Sequence, residues 1–226
     1  MFTMTQLKKY CRPLKHILSS SFLTLLIFSV ANAQEEKKAV ATFGVSAALN
    51  TAQMFNDDYY GFHQFGLYAG PSLNFTFSDT SSIQISAAFS QKGARMARIV
   101  PGSTTEFYVL RLNYIDVPVI YTHRFKKNAF RNLHGEIGLY ASYLLDYDER
   151  NQIGAITPAR PFNTFEFGGM IGAGYWLRHG LYVSLRGYNS LLPVRAHQSN
   201  TRWFLNNGQY NTVVQFSLNY FFKAKE

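Results

Sequence analysis

The stretch "FGLYAGPSLNFTFS", residues 65–78, alternates between apolar side chains and small or polar ones with almost no exception. An extended strand places successive side chains on opposite faces, so one face of this strand is apolar and the other is largely glycine, serine, asparagine and threonine. In a soluble sandwich the apolar face would point into the core. In a membrane-spanning barrel it would point outward into lipid.

Seven further segments repeat the alternation and predict β-strands, which gives eight in all: 41–50, 64–77, 82–92, 107–122, 135–147, 164–177, 181–191 and 210–223. The connections differ in length. "SDTS" and "RHG" are short, whereas the spacers near 51–63, 93–106 and 192–209 are long. Short turns at one end and long loops at the other are typical of an up-and-down barrel whose N-terminus lies in the periplasm.

The composition of the second face favours the barrel. A water-exposed sheet face typically carries many lysines and glutamates, but these strands carry glycine, serine, asparagine and glutamine opposite the apolar stripe. Small neutral side chains that form hydrogen bonds suit a crowded barrel interior. Charged residues are 15% of the chain, against about 25% in typical soluble domains. The sequence therefore predicts an all-β fold, an eight-stranded antiparallel up-and-down transmembrane β-barrel with its apolar face outward.

One strand departs from the alternation. In "VLRLNYIDVPVIY" the apolar residues Leu110 and Leu112 have even numbers, whereas Ile115, Val117 and Val119 have odd numbers. If the apolar face is outward throughout, the register must shift between residues 112 and 115, which predicts a β-bulge in this strand.

The first residues resemble a secretory signal peptide. A basic segment precedes the apolar run "FLTLLIFSV", and "ANA" before Gln34 has the small-x-small pattern of a cleavage site. The alternative, a membrane anchor, would need about 20 apolar residues. We therefore expect residues 1–33 to be a cleaved signal peptide, residues 34–226 to be the barrel domain, and the protein to lie in the bacterial outer membrane.

Cysteine and charge usage exclude several functions. The single cysteine, Cys11, lies in the signal segment, so the mature chain is expected to have no disulfide and no thiolate chemistry. Basic residues are not clustered into a stripe, so nucleic acid is not an expected partner. The basic residues of the predicted long loops lie either in water or against anionic head groups and lipopolysaccharide phosphates: Lys92, Arg95, Arg98, Arg160, Arg195 and Arg202.

Two segments carry a family resemblance. "YIDVPVIYTHRF" (114–125) and "GEIGLYASYLLD" (135–146) resemble the outer-membrane β-barrel family that includes PorT. The resemblance extends over residues 40–223 and implies an eight-stranded outer-membrane barrel. PorT is associated with type IX secretion, so the resemblance also implies secretion-system or envelope proteins as possible partners of the extracellular loops.

Charged residues on the inward face are the first candidates for a functional site. Strand alternation, with the predicted bulge, places six of them in the lumen: Arg111, Asp116, Glu136, Asp146, Glu166 and Arg186. Side chains about fill an eight-stranded barrel, so these ions are expected to pair as a polar plug. A proton path, an ion path or a binding site is the alternative.

A second candidate lies near the C-terminus. His197 and Ser199 in "AHQSN" resemble the His-x-Ser-Asn motif of the outer-membrane lipid A deacylase, in which an imidazole activates a hydroxyl. The polar run that follows favours a plain loop instead. The other histidines lack the spacing of metal ligands, and the adjacent acids of "NDDYYG" are typical of a turn. No metal and no cofactor are predicted.

These observations leave four classes of function. The first is a non-enzymatic outer-membrane barrel that supports the envelope or docks a secretion component. A narrow passive pore, a lipid-modifying enzyme like the deacylase, and a soluble lipocalin-like binding barrel are the alternatives.

Overall fold

The computed structural model describes residues 39–55, 61–98, 106–125, 132–158, 160–177, 180–196 and 208–222. The predicted signal peptide lies outside these ranges. Within them, no helix is long and apolar enough to cross a bilayer. The strands are β1 Val40–Phe55, β2 Gln64–Thr76, β3 Ser81–Ser86, β4 Ala88–Arg98, β5 Glu106–Arg124, β6 Leu133–Asn151, β7 Gly154–Ala155, β8 Phe165–Trp176, β9 Leu181–Ser190, β10 Arg195–Ala196 and β11 Gly208–Phe221.

The strands form a closed ring with eight positions. β1 pairs with both β2 and β11, and the ring continues from β2 through β3 and β4, β5, β6, β8 and β9 back to β11. Every pairing is antiparallel. The predicted eight-stranded antiparallel barrel is confirmed. Two short strands extend the long-loop end, where β7 pairs with β6 and β10 pairs with β11.

One ring position is divided into β3 and β4 at Ala87. Ala87 donates its N–H to the carbonyl of Pro71 over 3.1 Å, but Pro71 has no N–H to donate in return. On the other side, Pro118 lies in the gap of β5 between the residues paired with β3 and those paired with β4. The register of β2 is unchanged across the break, so the two segments act as one strand.

The apolar face of β2 points outward. In β2 the apolar Phe65 is 74% exposed and Leu67 is 58% exposed, whereas Tyr68 is 2% exposed and points inward. Serine, asparagine and glutamine side chains on the inward faces of the other strands are also buried. The apolar residues therefore form an outer band around the barrel, and the polar residues fill its interior.

The register between β5 and β6 shifts between Asn113 and Tyr114, inside the predicted interval. The extra residue belongs to β6, because Asn113 pairs with Asp146 and Tyr114 pairs with Leu144, which leaves Leu145 unpaired. The predicted bulge in β5 is therefore wrong, since the inward and outward alternation of β5 continues without a break.

Continuous alternation in β5 turns Leu110 and Leu112 inward, where both are 0% exposed. They belong to an apolar cap that fills the lumen at the long-loop end. The cap consists of Met54, Ala94, Tyr108, Leu110, Leu112, Tyr114, Phe162 and Val194. Phe162 and Val194 come from the segments that connect strands at this end, so parts of the long connections close the barrel from above.

The strands differ in length. β5 and β6 have 19 residues each, whereas β8 has 12 and β9 has 10. Since β6 pairs with β8 only up to Tyr143 and Phe165, the remainder of β5 and β6 continues beyond the apolar band with β4 and β7. We call this continuation the extension.

Candidate functional site

Three groups of buried ions occupy the barrel interior at different heights. The lowest is centred on Arg186 of β9, whose Nε and Nη2 donate to the two carboxylate oxygens of Glu136 of β6 over 2.7 and 3.0 Å. The Tyr182 hydroxyl donates to the same carboxylate over 2.8 Å. Arg186 also donates over 3.4 Å to Gln84 of β3, on the opposite side of the ring. This group therefore crosses the whole lumen.

A glycine between the two ions permits this arrangement. Glu136 pairs with Gly172 and Gly172 pairs with Arg186, so the three residues form one row across β6, β8 and β9. A Cβ on Gly172 would lie 3.0 Å from both the Arg186 and the Glu136 side chains. The segment "FGGMIGAGYW" thus supplies an inward face on which the ion pair can lie flat.

The middle group is centred on Lys92 of β4. Its ammonium lies 3.1 Å from Asp116 and 3.5 Å from Glu166, and it donates to Ser142 over 3.1 Å. The Tyr140 hydroxyl donates to Glu166 over 2.7 Å. Lys92 also lies 4.6 Å from the centroid of the Tyr140 ring, within the range of a cation–π contact. A single cation thus holds two carboxylates from different strands.

The upper group lies beside the apolar cap. Arg195 of β10 donates to Glu149 over 2.9 Å and to Gln209 over 2.7 Å. The Tyr108 hydroxyl donates to Glu149 over 2.7 Å, and the Arg195 guanidinium lies 4.4 Å from the centroid of Phe162. This group ties β10 to β5, β6 and β11.

Ion pairs and side-chain hydrogen bonds thus connect strands through the lumen at three heights. Such buried pairs are desolvated, so each ion depends on its partner for stabilisation. This arrangement can hold the strands in register and can obstruct the passage of solutes. Among the residues with described positions, no cluster of three His, Asp or Glu side chains is arranged to hold a metal ion.

Four of the six predicted lumen residues lie in the lumen, in two groups: Glu136 with Arg186, and Asp116 with Glu166 around Lys92. The predictions for Arg111 and Asp146 are wrong, because both side chains are exposed on the outer face. Arg111 was assigned to the lumen on the assumption of a bulge in β5. Asp146 changes face because the actual bulge, at Leu145, reverses the alternation of β6.

Three interior ions are not among the predicted lumen residues. Lys92 and Arg195 were predicted to lie in long loops, but both are buried in the lumen. Lys92 is the last residue of the predicted strand 82–92 and has the same parity as the inward Ser90, so its parity indicates the lumen although it was counted with the loop residues. Glu149 lies beyond the predicted end of its strand and beyond the bulge, and nothing in the sequence marks Arg195 as inward.

The candidates His197 and Ser199 lie outside the described residues, as do residues 56–60 of "NDDYYG" and Arg202. Arg95 is exposed on the outer face, as a contact with water or head groups requires.

A closed antiparallel ring with an apolar outer band and an ion-paired interior defines a transmembrane β-barrel. A model of the family described as outer membrane protein beta-barrel domain matches residues 32–195, and the chain belongs to this family. The protein is thus an outer-membrane β-barrel of a bacterial envelope. A search of curated proteins gives no match.

Solved barrels are similar to the chain at low identity. Ail, the attachment invasion locus protein of Yersinia pestis, is 10% identical with a TM-score of 0.46, over 80% of this chain and 99% of Ail. Neisserial surface protein A is 11% identical with a TM-score of 0.48, over 81% of this chain and 99% of that protein. OprG from Pseudomonas aeruginosa is 8% identical with a TM-score of 0.41, over 81% of this chain and 96% of OprG.

Proposed function

We propose that the protein is a non-enzymatic outer-membrane barrel with a blocked lumen, which supports the envelope and docks an envelope or secretion component at its long-loop end. The observation that carries this proposal is the set of ion pairs across the interior, Arg186–Glu136, Lys92–Asp116 and Arg195–Glu149. A conducting pore needs a continuous water path, and these pairs together with the apolar cap occupy its place.

The extension supports the docking role. The hairpin of β6 and β7 stands beyond the apolar band, and Ile153 at its turn is 88% exposed. Among the described residues β7 pairs only with β6, and we propose that its other edge accepts an added strand. The resemblance to the family that includes PorT makes a secretion-system protein a reasonable occupant.

Contact with the lipid is proposed for the outer face of the extension. Arg95, Val109 and Arg150 form one row across β4, β5 and β6, and Arg111 is two residues from Val109 on the same face. This face lies above Ile115, an outward apolar residue of the band. Arg111 is four residues from Ile115, about 13 Å along the strand. Guanidinium groups at that height match the phosphates of outer-leaflet lipids, including lipopolysaccharide.

The test is conductance in planar bilayers. We expect purified wild-type protein to give no single-channel steps and to leave lipid A unchanged in mass after incubation. The Arg186→Ala/Lys92→Ala variant is the comparison, because it removes the cations of two levels; the exposed Asp146→Asn is the matched control. Single-channel steps from the wild type, unchanged in Asp146→Asn, would support the narrow pore instead. Loss of an acyl chain from lipid A would support the deacylase.

Export is also part of the proposal. N-terminal sequencing of the protein from outer-membrane fractions is expected to begin at Gln34, as removal of residues 1–33 requires.

A further inference from the structure

A cavity lies at the opposite end of the barrel from the cap. Its volume is about 280 Å³, and it is formed by the end of β2, the turn to β3, the end of β5, the start of β6 and the end of β8. We call it the short-turn cup. Six of its lining residues matter here: Asn74, Asp79, Arg124, Asn132, His134 and Trp176.

Aromatic rings close the inner side of the cup. The ring of Trp176 lies 5.0 Å from that of Tyr182 and 5.5 Å from that of Phe221, and His134 lies edge-on to Tyr182 at 5.9 Å. Tyr182 in turn donates its hydroxyl to Glu136 of the lowest ion group. The cup therefore ends at a layer of rings, and its aromatic floor rests directly on the ion-paired interior.

The walls of the cup are polar. They carry the amides of Asn74 and Asn132 and the hydroxyls of several serines and threonines of the β2–β3 turn, including Thr80. The Nε2 atom of His134 has no hydrogen-bond partner among the positioned residues, although the side chain is only 7% exposed. Asp79 and Arg124 add one charge of each sign, so the described lining carries no net charge when His134 is neutral.

This combination points to a particular ligand chemistry. An aromatic ring packs against the C–H face of a sugar, and amides and hydroxyls offer both donors and acceptors to its hydroxyl groups. A lining without net charge gives no preference for an anion or a cation. The volume is close to the lower limit of small-molecule sites, about 300 Å³.

From the floor, the walls and the charge of the cup together we infer that it binds one uncharged sugar ring, such as the exposed end of a glycan. In outer-membrane barrels the short turns face the periplasm, so the glycan would be a periplasmic one. The inference does not depend on the blocked lumen or on docking at the other end.

The two tryptophans of the chain, Trp176 and Trp203, make the test direct. In a Trp203→Phe background, Trp176 is the sole tryptophan and reports on the floor of the cup. Titration of detergent-solubilised protein with N-acetylglucosamine and with glucose is expected to change Trp176 emission saturably, with a dissociation constant of about 1 mM. Sodium sulfate, as a charged probe, should give no saturable change.

Variants of the walls separate binding from folding. Asn132→Ala and Thr80→Ala, made singly, should weaken the sugar titration about three- to tenfold by removing one hydrogen bond each. Asn113→Ala, on the outer face at the far end, should leave it unchanged. The inference would be overturned by any of three results. These are an unchanged Trp176 emission up to about 100 mM sugar, equal sugar titrations in all variants, and a sulfate response as strong as the sugar response.

Discussion

Removing the charge of Glu136 tests whether the buried ions hold the barrel together. Glu136 and Arg186 are each 0% exposed in their side chains and joined by hydrogen bonds of 2.7 and 3.0 Å. In Glu136→Gln the shape remains, but the amide turns a donor toward Arg186 and leaves a cation without a counter-charge. Breaking one side of a buried pair costs about 3–5 kcal/mol. We expect the free energy of unfolding to fall by that amount.

The measurement is guanidinium unfolding in detergent micelles, followed by tryptophan fluorescence and by the mobility difference between boiled and unboiled samples on gels. Asp146→Asn is the matched control, because it makes the same chemical change on the exposed outer face. Surface changes of this kind stay within about 0.5 kcal/mol. Glu136→Leu combined with Arg186→Met should recover most of the loss, since an apolar replacement of a whole buried pair is often neutral.

Equal stabilities of Glu136→Gln and Asp146→Asn would refute the reasoning. That result would mean that water reaches Arg186 and solvates it, so the lumen would be wet at this level and the proposed blockage would fail there. A double variant as unstable as the single one would show instead that the hydrogen bonds of Tyr182 and Gln84, rather than the charges, stabilise the interior.

Two further predictions concern the faces of the barrel. Gly172→Val should lower the free energy of unfolding by about 1–3 kcal/mol, because its Cβ would lie 2.8 Å from a backbone oxygen and 3.0 Å from the ion pair. Gly187→Val is the control and should be nearly neutral, because its Cβ meets no atom closer than 4.0 Å. Equal effects of the two substitutions would argue against the packed interior. Leu139→Arg should lower the free energy of unfolding in lipid vesicles by about 2–4 kcal/mol. Ile153→Arg, beyond the apolar band, should not lower it. Equal losses in the two variants would contradict the outward orientation of the apolar face.

Much of the fold follows from alternation alone. Period-2 patterning fixes which residues share a face, and glycine, serine and glutamine opposite the apolar stripe indicate a crowded interior rather than water. The same parity places Glu136, Glu166 and Arg186 inside, where the structure has them. These residues could be predicted because the middle of each strand is surrounded by lipid on one side and by the lumen on the other.

The bulge in β6 could not be predicted. Leu144 and Leu145 are both apolar and adjacent, so the sequence does not tell which of them is extra. Leu144 packs against the apolar cap, and Leu145 is 52% exposed. The choice is made by the partner strand, because it depends on the pairs Asn113–Asp146 and Tyr114–Leu144. Such pairings belong to the tertiary structure and leave no local signal.

The error in β5 has a different cause, which is the boundary of the apolar band. Below it, β5 turns Asp116 inward and Ile115 outward; above it, the same unbroken alternation turns Leu112 inward and Arg111 outward. The two halves of β5 face different surroundings, because lipid tails lie outside the band, whereas water and lipid head groups lie outside the extension. One strand therefore follows the membrane rule in its lower half and the rule of soluble proteins in its upper half. A change of apolar parity along a barrel strand can thus mark either a β-bulge or the membrane surface. The charge of the outward residues distinguishes these two cases, since an arginine on the outer face belongs above the lipid.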